Sequence, residues 1–212
     1  MSNAIIIQKP KIPASLPKVD FKEMKDSYLN LSEIYDCEIT EEEINKVCFD
    51  QVVFKNVTFI DVSFRNIELT DVIFEKCDLS NTDFSDGIIH RVQFKESKLL
   101  GLNFSGATLG NVSFENCHAN LCSFGYAKLK LVKFDSCFLN SADYYECKFT
   151  KVTFNYCDLD EANFGGTSLN GIDLSNCSFN KLNVSMENLA GCEVSPAQAI
   201  GFVQLLGLKI KE

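Results

Sequence analysis

Val52, Val72, Val92, Val112, Val132 and Val152, followed by Ile172, stand twenty residues apart. Two positions after each comes Phe54, Phe74, Phe94, Phe114, Phe134 and Phe154, and then Leu174. A repeat this strict dictates a stacked architecture, in which each unit buries its apolar side against the next. Within it runs a five-residue period. From Leu29 to Val194 every fifth residue is apolar, and two residues before each stands something small or β-branched, such as Val62, Thr82, Ala107, Cys117 or Ala142. From Val47 to Val184 neither slot holds a charge or an amide. A helix would show apolar residues three and four apart, and an ordinary strand would alternate at two. Two residues inward and three outward describe a short extended edge followed by a corner.

Read every twenty residues, the chain separates into four columns of different character. The first pairs the valines with the phenylalanines above. The second pairs Cys77, Ser97, Cys117, Cys137, Cys157 and Cys177 with Leu79, Leu99, Ala119, Leu139, Leu159 and Phe179. The third pairs Thr82, Cys122, Ala142 and Ala162 with Phe84, Phe124, Tyr144 and Phe164, and the fourth pairs Gly87, Ala107, Ala127 and Cys147 with Ile89, Leu109, Leu129 and Phe149. Four edges close a square. The predicted fold is an all-β solenoid, a right-handed quadrilateral β-helix of about eight coils, its hand following the preference of parallel connections. At about 4.8 Å per coil it makes a rod on the order of 40 Å long. The register never slips, so no long projecting loop is expected.

Residues 1–26 hold Pro10, Pro13 and Pro17 and predict an extended segment packed over the first coil, where open strand edges need cover. Residues 27–194 form the rod. Residues 195–212 open with Ser195-Pro196, a good start for a short helix running to Leu206, with Gly207 placed to stop it. Ala199, Ile200, Phe202, Val203 and Leu206 present more apolar surface than a simple lid needs, and Leu208 and Ile210 alternate beyond it. These residues predict a homodimer joined end to end.

Ten cysteines suggest a disulfide framework, but all except Cys48 fall in the small inward slot, where cysteine serves as a compact hydrophobe. An intracellular, cytoplasmic protein with reduced thiols follows, and no apolar run long enough for a membrane span occurs. No catalytic constellation is found: His90 and His118 lie at outward positions without a fixed acid partner, and neither zinc spacing nor a phosphate-binding glycine loop is present. The chain is therefore expected not to be an enzyme and to carry no metal or other cofactor.

Charge narrows the choice further. The net charge of −9 argues against direct nucleic-acid binding, which needs a basic face, and leaves room for a basic protein partner. The third wall carries Asp83, Asp86, Asp143 and Glu146 against Arg65. The second carries Asp78, Asp158, Asp160 and Glu161 with Asp61, against Lys98 and Lys181. The fourth wall is basic, with Arg91, Lys128, Lys130, Lys148 and Lys151. A stiff rod with carboxylates along one flank is a partial electrostatic likeness of duplex DNA, and Asp78, Asp83, Asp86, Asp143, Glu146, Asp158, Asp160 and Glu161 are the candidate partner-binding residues.

Cys77-Asp78-Leu79-Ser80-Asn81, Cys157-Asp158-Leu159-Asp160-Glu161 and Ala162-Asn163-Phe164-Gly165-Gly166 resemble the A(D/N)LXX pattern of the pentapeptide-repeat family. The proline-rich start, Cys117-His118-Ala119 and the tail from Ser195 to Leu208 are similar to those of Qnr-type quinolone-resistance proteins. That resemblance implies a dimer joined through the C-terminal helix that binds DNA gyrase and topoisomerase IV and protects them from fluoroquinolones. The alternative is a pentapeptide-repeat scaffold or toxin-immunity protein with no topoisomerase role.

Overall fold

The computed structural model describes residues 5–24 and 27–206. Among them, seven strands form one parallel sheet in sequence order: β1 (Tyr28–Thr40), β2 (Cys48–Ile60), β3 (Glu68–Glu75), β4 (Ile88–Lys95), β5 (Thr108–Glu115), β6 (Lys128–Asp135) and β7 (Lys148–Asn155). Every pairing is offset by twenty residues, as in Val52↔Val72 and Phe54↔Phe74. From β3 onward each strand turns one corner, covering the fourth wall and then the first. The second and third walls are held by single-residue bridges such as Asp78↔Lys98 and Asp83↔Asn103. The winding runs past the sheet as far as Asp173↔Glu193.

The inward slots make one continuous apolar column. On the first wall Phe54, Phe74, Phe94, Phe114, Phe134 and Phe154 are stacked with centroids 4.7–5.0 Å apart and planes within 8°. On the third wall Phe104, Phe124, Tyr144 and Phe164 stack likewise, but Phe84 meets Phe104 edge-on at 74°. Each buried ring contributes about 1.5–3 kcal/mol by leaving water, so the rod needs no staple. All ten cysteines are free thiols, and seven of them are buried. Burial pushes the Cys77 and Cys147 thiols up to about 12, so they stay protonated and unreactive.

The corners have a conformation that the apolar pattern does not announce. From Leu31 to Glu161 every fifth residue that is not glycine has φ between +46° and +63°. This left-handed region costs an ordinary L-residue roughly 1–2 kcal/mol and suits Gly, Asn and Asp. Asn56, Asn66, Asn81 and Asn111 fit it, and Gly101 and Gly106 do so at +69° and +70°. Leu121, Tyr126, Leu131 and Tyr156 do not, and are held there by the coils above and below.

The N-terminal segment does more than cover the first coil. Phe21 is buried against Phe49 and Phe64, with ring centroids 6.3 and 6.2 Å away, at the open end of the rod. Residues 5–15, however, run as a strap along the rod. The Lys11 amide donates to Asp71 (2.9 Å), the Gln51 carboxamide donates to the Lys11 carbonyl (2.8 Å), and the Gln8 amide donates to Asn111 (3.1 Å). The prolines keep this segment extended, and the corner side chains it crosses supply its hydrogen bonds. Beneath it Arg91 grips Asp71 through two nitrogens, at 2.6 and 2.7 Å.

At the far end α1 (Pro196–Phe202) continues into a 3-10 turn, Val203–Leu206, so the helix is shorter than expected. Ser195 and Gln198 form a reciprocal capping box. Gln198 also donates to the carbonyls of Leu174 and Cys177 at 2.9 and 2.8 Å, which pins the helix to the last coil. Gly207, Leu208 and Ile210 lie outside the described residues.

Candidate functional site

The carboxylates of the second and third walls divide by their place in the repeat. Asp78, Asp83, Asp143 and Asp158 sit one residue before the inward apolar residue, and each accepts the backbone N–H two positions on, at 3.0, 2.9, 3.1 and 3.2 Å. Asn103 and Asn163 do the same without charge. These side chains therefore serve the turn first, and the negative charge is an addition to that duty. The (D/N) of the repeat motif was the sequence signal for it.

Neighbouring coils engage them further. Asn103 and Asn163 donate to Asp83 and Asp143 at 2.9 and 2.8 Å, and Lys98 pairs with Asp78 at 3.0 Å. Burial alone would raise the Asp78 carboxyl, but the Ser80 hydroxyl and the Lys98 ammonium outweigh it and hold the group below the usual range. Backbone N–H groups of Asn180 and Lys181 do the same for Asp160. Asp86, Glu146 and Glu161 occupy corners, where they project from the rod.

The charges are not evenly spaced. Asp78, Asp83 and Asp86 make one cluster, and Asp143, Glu146, Asp158, Asp160 and Glu161 another. Between them these walls carry Asn103, Ser105, Gly106, Asn120, Ser123 and Gly125. Asp83 and Asp143 share a column three coils apart, about 14 Å at the strand spacing. The interval holds an apolar belt that sequence reasoning missed. Leu121 and Tyr126 are 59% and 62% exposed, and Phe138, stacked on His118 at 4.9 Å, is 47% exposed. Tyr145 packs edge-on against Tyr126, with centroids 5.6 Å apart. Tyr126 occupies a left-handed corner where Gly106 stands one coil back and Gly166 two coils on, and Leu121 does so where Gly101 stands. Aromatic side chains at positions that favour glycine were the available signal.

At the C-terminal end Ala199, Phe202 and Val203 share an apolar groove of about 250 Å³ with Met186, Leu189, Cys192 and Val194. Ile200 does not line it and is 56% exposed, as is Leu205 at 42%. Of the expected seam residues, Leu208 and Ile210 lie outside the described residues.

Among the described residues no cluster of His, Cys, Asp and Glu is arranged to hold a metal ion, and no helix is long and apolar enough to cross a membrane. The arrangement offers a rigid surface with two negative patches and an aromatic centre.

Pentapeptide-repeat family models match residues 48–86, 87–164 and 157–193. The chain belongs to the pentapeptide-repeat family. A segment of 102 residues, 47% of this chain, is 48% identical to the uncharacterized protein YisX of Bacillus subtilis (strain 168), and the match spans about half (48%) of that relative's length. Among solved structures, full-length QnrB1, a plasmid-mediated fluoroquinolone resistance protein, is 19% identical, with 90% of this chain and 95% of that one covered at a TM-score of 0.44. HetL, involved in heterocyst differentiation regulation in the cyanobacterium Nostoc, is 14% identical, with 79% and 83% covered at a TM-score of 0.27.

Proposed function

We propose that this protein is a cytoplasmic, non-enzymatic partner of type II topoisomerases, which protects DNA gyrase and topoisomerase IV from fluoroquinolones by placing a DNA-like acidic flank in their DNA-binding saddle. The reading is carried by one observation: carboxylates fixed by turn hydrogen bonds gather on two adjoining walls of an unbranched rod. Their charge density is lower than that of duplex DNA, which presents one negative charge per about 1.7 Å. The mimicry is therefore partial, and the aromatic belt between the clusters supplies the remaining affinity. Resemblance of the Cys117-His118-Ala119 segment and the tail to Qnr-type proteins supports the same assignment.

The exposed Ile200 and Leu205 support a homodimer joined at the helical ends, which would double the acidic flank. Introducing a charge at both positions, as Ile200→Glu and Leu205→Glu, should convert the dimer to monomer in sedimentation velocity. The function itself is tested by gyrase supercoiling in the presence of ciprofloxacin, with and without this protein. Restored supercoiling supports the proposal. Absence of rescue at every concentration favours a scaffold or toxin-immunity role instead.

A further inference from the structure

In one coil the third wall carries an apolar ridge on each of its two edges. Leu121 and Tyr126 stand there at left-handed corners, with φ +59° and +63°, and both are exposed. Gly101 and Gly106 hold the same corners one coil back. Each ridge residue thus accepts a strained backbone and contact with water together, which the packing of the rod does not reward. Between the ridges the positions that do not face the core are Ser123 and Gly125, so the wall forms a shallow trough. Toward the N-terminal end the trough opens on a cavity of about 490 Å³, lined by Asp83, Asp86, Asn103 and Ser105 as well as Tyr126. Arg65 lies at its rim, 3.8 Å from Asp83, an exposed pair worth little. Toward the C-terminal end the trough stops at Tyr145, packed edge-on against Tyr126 and flanked in sequence by Asp143 and Glu146.

Along the rod this wall therefore reads acidic, small, apolar, acidic. Asp83 and Asp86 lie two coils before the ridge, about 10 Å at the strand spacing, and Asp143 and Glu146 one coil after it, about 5 Å. An α-helix advances about 5.4 Å per turn. That pitch is close to the coil spacing, so a helix laid along the rod presents one turn to each coil. A strand has no comparable fit. The backbone of this wall is already bonded coil to coil, Phe104 N–H to Ser123 at 2.6 Å and Phe124 N–H to Asp143 at 2.7 Å, and offers an incoming strand nothing to pair with.

We propose that the third wall docks an α-helix of the topoisomerase, lying along the rod with one turn against each coil. The inference rests on the topoisomerase reading and names the element of the partner that meets this face. Charge and shape assign the helix its chemistry. A Lys or Arg enters the cavity and meets Asp83 and Asp86, its stem lying toward the Tyr126 ring. Two turns on, an apolar side chain sits over Ser123, between Leu121 and Tyr126. One turn further, a second Lys or Arg meets Asp143 and Glu146. The ridges are the anchor that leaves water, and the carboxylates are its charged rim. Duplex DNA does not suit this face, because its phosphates meet carboxylates at both ends of the trough.

Binding of the full chain to DNA gyrase and to topoisomerase IV is measured by interferometry over a range of salt concentrations. Leu121→Asn/Tyr126→Asn removes both ridges and places a residue that suits left-handed corners, with its melting temperature followed in parallel. The double variant should bind about tenfold more weakly, with the salt dependence of the parent, because no charge is lost. Photo-crosslinking from p-benzoylphenylalanine in place of Tyr126, read by mass spectrometry, locates the contact on the enzyme. It should capture a segment in which an apolar residue has Lys or Arg about seven residues to one side and about three or four to the other. A captured segment without that pattern, or a folded double variant that binds as tightly as the parent, overturns the helix and leaves the topoisomerase reading standing. A parent chain that binds neither enzyme overturns both.

Discussion

Single positions depart from the repeat in ways that have measurable cost. The Tyr144 hydroxyl is buried in the third-wall stack without a hydrogen-bond partner. Its neighbours Phe124 and Phe164 fill the same slot with no polar atom. Replacing Tyr144 with Phe removes an unsatisfied group, and should raise unfolding free energy by about 1–2 kcal/mol in chemical denaturation. Tyr126 presents the contrary case of a residue that harms stability where it stands, being both exposed and left-handed. Tyr126→Asn should stabilise the rod by about 1 kcal/mol while weakening gyrase binding several-fold in a pull-down or interferometry titration. Loss of stability on that substitution would show that the ring supports the fold and does not serve a partner.

The strap is the element whose role depends on pH. Burial by itself raises the Asp71 carboxyl, but the Arg91 guanidinium and the Lys11 amide hold it below its ordinary 3.8. A carboxyl depressed in the folded state contributes fully above its unfolded value and loses that contribution as pH falls through the folded one. Acidification below 3.8 should therefore free residues 5–15 before the coils unfold, seen as early proteolysis or hydrogen exchange at Gln8 and Lys11. Asp71→Ala should cost about 2–3 kcal/mol at neutral pH, since it strands Arg91 in a site where only 17% of its side chain meets water. The strap's course was not legible in the sequence. Prolines announce an extended segment but not the surface it follows. The coils themselves were legible because each inward slot is a packing demand repeated twenty residues later, and the rings of Phe54, Phe74 and Phe94 do lie over one another. The acidic residues were legible but their turn duty was not, because one carboxylate carries both the charge and the hydrogen-bond acceptor that the turn uses.

For the molecule as a whole, charge and fold can be separated. Asn103 and Asn163 show that asparagine performs the aspartate's turn role. Asp83→Asn, Asp143→Asn and Asp158→Asn together should leave the melting temperature within about 2 °C of the parent. Topoisomerase binding should fall, and with it the steepness of its salt dependence, since fewer charges take part. Equal loss on neutralising the lysines of the fourth wall would remove the electrostatic account. The strap also bears on how the chain is made. Residues 5–15 are translated before Asp71, Arg91 and Asn111, on which they rest. During synthesis this segment must wait, undocked, for its own binding surface to be wound, so its closure is a late event that reports a finished coil stack.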